Sequence, residues 1–174
     1  AWHAGISYWR NNKSLNKNSI GIEISNSGHQ YKYTNFKKAQ VLSIIKLSKF
    51  LIKKYKIKPY NFLGHSDIAP DRKIDPGEKF PWKYLSKLKI GCWHNLNDQT
   101  LIKKRNKFIK NSEKKKFINN LFKIGYAKNK KISKKVYLRD LSLAFQRRFR
   151  QELVNGIIDR ECLSISKNLL KKFK

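Results

Sequence analysis

SIGIEIS, from Ser19 to Ser25, sets Ile20, Ile22 and Ile24 against Gly21, Glu23 and Ser25. Strict alternation of this kind is the period-two pattern of a half-buried strand, and it turns Glu23 away from the isoleucine face. Beyond the turn-like SNSGH the period changes. Val41, Ile44, Ile45, Leu51, Ile52 and Tyr55 fall on one stripe at helical spacing, which predicts a helix starting near Thr34 and stopping before Pro59. NFLGH, ending at His65, reads as a short apolar strand. GHSDIAPDRKIDPGEKFPW, from Gly64 to Trp82, is rich in Pro, Gly and Asp and reads as an ordered loop. The order is therefore strand, helix, strand, loop.

After Trp93 the character of the chain shifts. HNLNDQTLIKKRNK is polar and basic, and from there only helical periodicity appears, which places a domain boundary near residue 95, between parts 1–95 and 96–174. Ser112 and Glu113 can open a helix carrying Phe117, Leu121 and Phe122 and ending at Gly125. Leu138, Leu141, Phe145 and Phe149 mark a second helix, stopped around Asn155-Gly156. Asp159 can cap a third, bearing Leu163, Ile165, Leu169 and Leu170. Three short helices predict a small bundle.

The chain has 174 residues, 40% of them hydrophobic, which is enough for one ordinary domain or two small ones with a real core. Its 41 basic and 11 acidic side chains give a net charge of +30, so the surface must attract polyanions. Residues 1–95 carry 18 bases against 5 acids and the remainder 23 against 6, so neither part is the sole basic arm. Of the bases 33 are lysine, spread along the whole chain, a drift in composition rather than a concentrated arginine reader. The most apolar stretch, Val41 to Ile52, is interrupted by Lys46 and Lys49 and falls well short of the roughly 20 apolar residues that cross a bilayer. Cys92 and Cys162 match no metal spacing and read as two buried free thiols.

The chemistry concentrates in the loop from Gly64 to Trp82. His65 follows an apolar run and Asp75 comes ten residues later, with Lys73 and Pro76-Gly77 on either side of it. Imidazole and carboxylate are suitable zinc ligands, and a catalytic zinc normally takes three from the protein, leaving the fourth position to water.

At these residues the sequence resembles a known family. AWHAG at Ala1 to Gly5, LNKNSIGIEI at Leu15 to Ile24 and the loop from Gly64 to Trp82 look like the type-2 N-acetylmuramoyl-L-alanine amidases, especially their AmiD-like branch. The resemblance runs through nearly all of residues 1–93, with the motifs in the family's order. It implies an α/β fold, a mixed sheet flanked by helices, and zinc held by His65 and Asp75. It further implies that Glu23 is the general base and that Lys73 steadies the oxyanion. His3 matches the family near the substrate cleft, or is a hydrogen-bonded structural histidine. Arg72 could pair with a peptide carboxylate. His29 and His94 match no ligand position and read as turn and linker residues. Family members carry another zinc histidine on a strand before the AWHAG motif, whereas this sequence starts at that motif, so truncation at the N-terminus is the expectation and the third ligand is missing.

Residues 96–174 resemble the peptidoglycan-binding module that follows the amidase in the AmiD-like branch, through LFKIGY at Leu121 to Tyr126 and LAFQRRFRQELVNGIIDRECL at Leu143 to Leu163. The resemblance as a whole implies hydrolysis of the amide between N-acetylmuramic acid and L-alanine in peptidoglycan or muropeptides, in the bacterial periplasm or at the outer membrane. A non-catalytic peptidoglycan-binding remnant is the alternative. Nucleic-acid binding is a third reading, through the lysine runs at Lys103 to Lys116 and Lys128 to Lys135, but no reader motif accompanies them.

Overall fold

The computed structural model describes residues 2–128 and 133–173. The second lysine run therefore lies partly outside the described residues. Two short strands, β1 (Tyr8–Trp9) and β2 (Asn12–Lys13), form an antiparallel hairpin, with Tyr8 opposite Lys13 and Trp9 opposite Asn12. Among the described residues the helices are α1 (Lys38–Tyr55), α2 (His65–Ile68), α3 (Trp82–Lys87), α4 (Asp98–Ile102), α5 (Asn111–Ile124), α6 (Lys134–Phe149) and α7 (Arg160–Leu169).

The helices expected from periodicity form, and their ends have local causes. On α1 the stripe buries Ile44, Ile45 and Leu51, and the helix ends where Lys56 turns left-handed. It begins at Lys38 rather than Thr34, because the Gln40 side chain accepts the Lys37 N–H at 2.9 Å and closes the first turn there. The residues before it serve elsewhere: Phe36 packs edge-on against Phe80 at 5.1 Å. Glu113 accepts the Lys110 N–H at 3.0 Å to start α5, and Asp159 accepts the Cys162 N–H at 2.9 Å to start α7. The second bundle helix stops earlier than expected, at Arg150, whose side chain is recruited into a buried network.

The strand expectations fare differently. Ser19 to Ser25 pairs with no strand among the described residues, and Ile20 and Ile22 are exposed; only Ile24 packs against the core beside α1. Alternation reports which face needs cover, and a ladder also needs a partner. In NFLGH, Asn61 ends a 3-10 turn begun at Pro59; Phe62 and Gly64 keep extended angles but join no ladder among the described residues. Within the loop, α2 was not anticipated. The described architecture is helical with one small hairpin in place of the mixed sheet.

One hydrophobic core spans both sides of residue 95. Ala4, Trp9, Leu15 and Cys92 join Phe117, Leu121, Phe145, Phe149 and Leu169. Trp9 meets Tyr126 edge-on at 5.2 Å, and α5 packs along α7. The Arg10 N–H donates to the Gly125 carbonyl at 3.0 Å, fixing the hairpin on the end of α5. Gly125 has a φ of 147°, and a Cβ there would come within 2.6 Å of the Arg10 Cγ and 2.9 Å of the Trp9 ring. Only glycine lets the two backbones approach so closely. A second cluster of Ile44, Ile45, Phe80, Trp82, Leu85 and Ile90 joins α1 to α3, with Trp93 packed against both. Cys92 and Cys162 are buried free thiols, as expected.

The turn between α6 and α7 is organised by charge. Arg150 is fully buried and donates to Asp159 at 2.6 Å, to Asn155 at 2.9 Å and to the Leu153 carbonyl at 2.9 Å. Arg105 forms a two-pronged pair with buried Glu161 at 2.7 and 2.8 Å. Removing one partner from such a pair is far more costly than the pair is stabilising. No helix among the described residues is long and apolar enough to cross a membrane.

Candidate functional site

The turn from Gly64 to Pro76 folds back so that its two ends meet. His65 opens α2, and its Nδ1 lies 3.2 Å from Asp75 Oδ2. The next main-chain group closes the loop: the Ser66 N–H donates to the Asp75 carbonyl at 3.0 Å. A tetrahedral zinc with bonds of about 2.0 to 2.2 Å separates its ligand atoms by about 3.3 to 3.6 Å, so the pair, at 3.2 Å, stands just short of the spacing of two corners of such a centre. No group of three His, Cys, Asp or Glu side chains placed to hold a metal occurs among the described residues. Burial opposes ionisation of Asp75, but the hydrogen bond and charge of His65, with a smaller pull from Lys73, outweigh it and hold the carboxyl below its usual range. Lys73 thus acts electrostatically on Asp75.

The other ring nitrogen of His65 faces the Ala4 carbonyl at 3.3 Å. This brings the N-terminal segment against the pair. Arg72 straps it there, donating to the Ala4 carbonyl at 2.8 Å and to the Ile6 carbonyl at 2.5 Å. The guanidinium fork considered above for a substrate carboxylate is engaged with main chain in this arrangement. His3 sits across the segment, its Nε2 2.8 Å from the Ser19 hydroxyl, and its ring lies where a Cβ on Gly21 would be, within 2.6 Å. A continuous path therefore runs from Gly21 through His3 and Ala4 to His65. Glu23, two residues past Gly21, is exposed and makes no ion pair or hydrogen bond with the described residues.

On the other side of Asp75, His29 pairs with Glu78 at 3.0 Å and stacks on Tyr33 at 4.3 Å, and the Tyr33 hydroxyl donates to the Pro76 carbonyl at 2.6 Å. His29 is thus part of the loop's support. His94 is buried rather than a linker residue. It borders a cavity of about 670 Å³ together with Tyr60, Lys87, Trp93 and Lys172, none of which belongs to the His65 site.

Sequence reasoning missed Asp67, on the buried side of α2, and the buried Tyr126 and Arg148 that meet it. Asp67 receives the Gly64 N–H at 2.7 Å, the Tyr126 hydroxyl at 2.8 Å and an ion pair from Arg148. The signal was slight, since Asp67 lies in a polar loop and Arg148 in QRRFR, which reads as a solvated basic run.

The loop brings an imidazole and a carboxylate together and is strapped against the AWHAG segment. The model of the N-acetylmuramoyl-L-alanine amidase family matches residues 1–78. The chain belongs to that family. It is similar to N-acetylmuramoyl-L-alanine amidase AmiD of Escherichia coli, with 37% identity over 99% of this chain and 64% of the relative, so it spans under two thirds of that relative's length. The 1,6-anhydro-N-acetylmuramyl-L-alanine amidase AmpD of Haemophilus influenzae is 43% identical over 51% of this chain and 47% of its own. Among solved structures, the complex of Escherichia coli AmiD with anhydro-N-acetylmuramic acid-L-Ala-D-gamma-Glu-L-Lys superposes with a TM-score of 0.85 at 36% identity, covering 99% of this chain and 68% of that one. AmpDh3 from Pseudomonas aeruginosa gives 0.83 at 34% identity, covering 99% and 69%.

Proposed function

We propose that this chain carries the greater part of a zinc-dependent N-acetylmuramoyl-L-alanine amidase, hydrolysing the amide between N-acetylmuramic acid and L-alanine in peptidoglycan or muropeptides. The observation that carries the reading is the approach of His65 Nδ1 to Asp75 Oδ2 at 3.2 Å within a loop shared with amidases. The relatives support that choice of substrate, one of them being solved with an anhydromuramoyl peptide bound. In this reading His65 and Asp75 hold zinc, which when bound supplies Lewis-acid chemistry that acidifies water and polarises a carbonyl. Glu23 takes a proton from the attacking water. The water oxygen bonds to the carbonyl carbon of the lactyl amide, the C–N bond breaks, and the alanine nitrogen leaves with that proton. Lys73, whose charge already reaches Asp75, stabilises the negative oxygen before the bond breaks. In this reading His3 and Arg72, beside the Ala4 segment, meet the substrate.

Residues 96–174 we assign to holding wall material, the three helices α5, α6 and α7 being the peptidoglycan-binding part and the net charge of +30 favouring anionic wall polymers. The bacterial envelope, periplasm or outer membrane, is the compartment in which that substrate is met. The absence of a three-donor metal group among the described residues favours one competing reading, a peptidoglycan-binding remnant without catalysis.

Zinc titration by calorimetry, paired with an assay for peptide release from a muramoyl peptide, separates the two. The amidase reading expects one-to-one zinc binding and release that disappears in Glu23→Ala while zinc binding persists. Wall binding with neither zinc binding nor release would establish the remnant.

A further inference from the structure

A four-residue helix cannot hold itself, because one helical turn orders several residues for a single hydrogen bond. The geometry of α2, and of His65 at its start, must come from what grips it. That grip is buried Asp67, whose carboxylate accepts from Gly64 N–H, from the Tyr126 hydroxyl and from Arg148. Arg148 does more than neutralise it. Its second amino group donates to the Phe62 carbonyl at 2.7 Å, so one guanidinium holds the chain both before His65 and after it. The guanidinium lies 4.0 Å over the Trp82 ring, which limits its own freedom. Between the two held points, the Ser66 N–H reaches the Asp75 carbonyl. Tyr126 and Arg148 both come from the part of the chain beyond residue 95.

We propose that Tyr126 and Arg148 are positioning residues for the His65 and Asp75 pair, so that the helical part of the chain sets the spacing of the two candidate metal ligands; the metal half of this rests on the reading above. An arginine fork can bridge the Asp67 carboxylate and the Phe62 carbonyl at once, whereas a lysine ammonium offers a point charge. Tyr126→Phe removes one donor from Asp67 and leaves the ion pair.

The test uses the full chain with Tyr126→Phe and Arg148→Lys. Hydrogen exchange is followed at the amides of Ser66 and Asp67, which donate to Asp75 and Gly64, and at the amides of α5 as an internal standard. Zinc affinity is measured with zinc alone. The expected result is site-amide exchange faster by about tenfold or more with α5 unchanged, and zinc binding weaker by about 10 to 100-fold. Unchanged site amides in a folded Tyr126→Phe protein would overturn the proposal. So would equal acceleration of the site and α5, which marks a general loss of stability. If Arg148→Lys does not fold, Tyr126→Phe decides. A wild-type chain that binds no zinc would remove the metal reading, and the exchange result would still settle the positioning role.

Discussion

Lowering the pH from about 7.5 to about 4 should cost the wild-type chain more stability than it costs a His94→Gln variant. His94 is buried, and burial, aided by Lys83, pushes its pKa down from 6.5 to about 4 against the opposing pull of Asp98 and Glu152. The ring's Nδ1 has no hydrogen-bond partner among the described residues, and a backbone hydrogen bond with Phe149, which favours the charged ring, does not offset the burial. Unfolded, the same imidazole titrates near 6.5. Between the two values the unfolded chain binds a proton that the folded chain refuses. Unfolding is therefore favoured as pH falls through that window, and above about 6.5 the penalty is absent. A gap of roughly two and a half units at about 1.4 kcal/mol per unit amounts to about 3 kcal/mol. Urea denaturation of both proteins at each pH measures it, the variant cancelling other titrating groups common to both. Equal losses in the two proteins would show that His94 is not the source of the acid sensitivity.

Other substitutions probe the rest of the framework. Phe145 is fully buried and packs edge-on against Phe117 at 5.0 Å, so Phe145→Ala should lower unfolding free energy by about 3 to 5 kcal/mol in a denaturant titration. Asp159→Ala removes both the α7 cap and the partner of buried Arg150, and a loss of about 3 to 5 kcal/mol is expected by the same measurement. Gly125→Ala should lower the melting temperature by forcing the β1–β2 hairpin from the end of α5, with a cost above the ordinary scale of about 1 kcal/mol for a glycine change. Arg72→Ala frees the Ala4 and Ile6 carbonyls, and limited proteolysis should then cut near the N-terminus faster while the melting temperature barely moves.

What could be read from the sequence divides along the range of the interactions involved. The long helices were legible because each carries its own signal: an apolar stripe on α1, a reaching Glu113 on α5, a capping Asp159 on α7. The Ser19 to Ser25 alternation was equally clear, yet it contributes no ladder, because a strand is defined by a neighbour that its own residues do not encode. For the site, the ten-residue separation of His65 and Asp75 carried little by itself, and it was the resemblance to amidases that paired them; the structure brings the two side chains together. Asp67 and Arg148 stayed invisible because they meet across 81 residues, each dressed as an ordinary surface charge.

The core that runs through residue 95 also fixes a length. Modules joined by a flexible linker gain from a high local concentration and sample many separations, so their binding and cutting positions are only loosely correlated. Here Trp9 and Tyr126, Arg10 and Gly125, and Asp67 and Arg148 join the two parts directly. Any polymer held on α5 to α7 therefore lies at a set offset and angle from His65, as between the jaws of a caliper. A ligand on those helices would thus meet His65 at one separation, where a flexible linker would offer many.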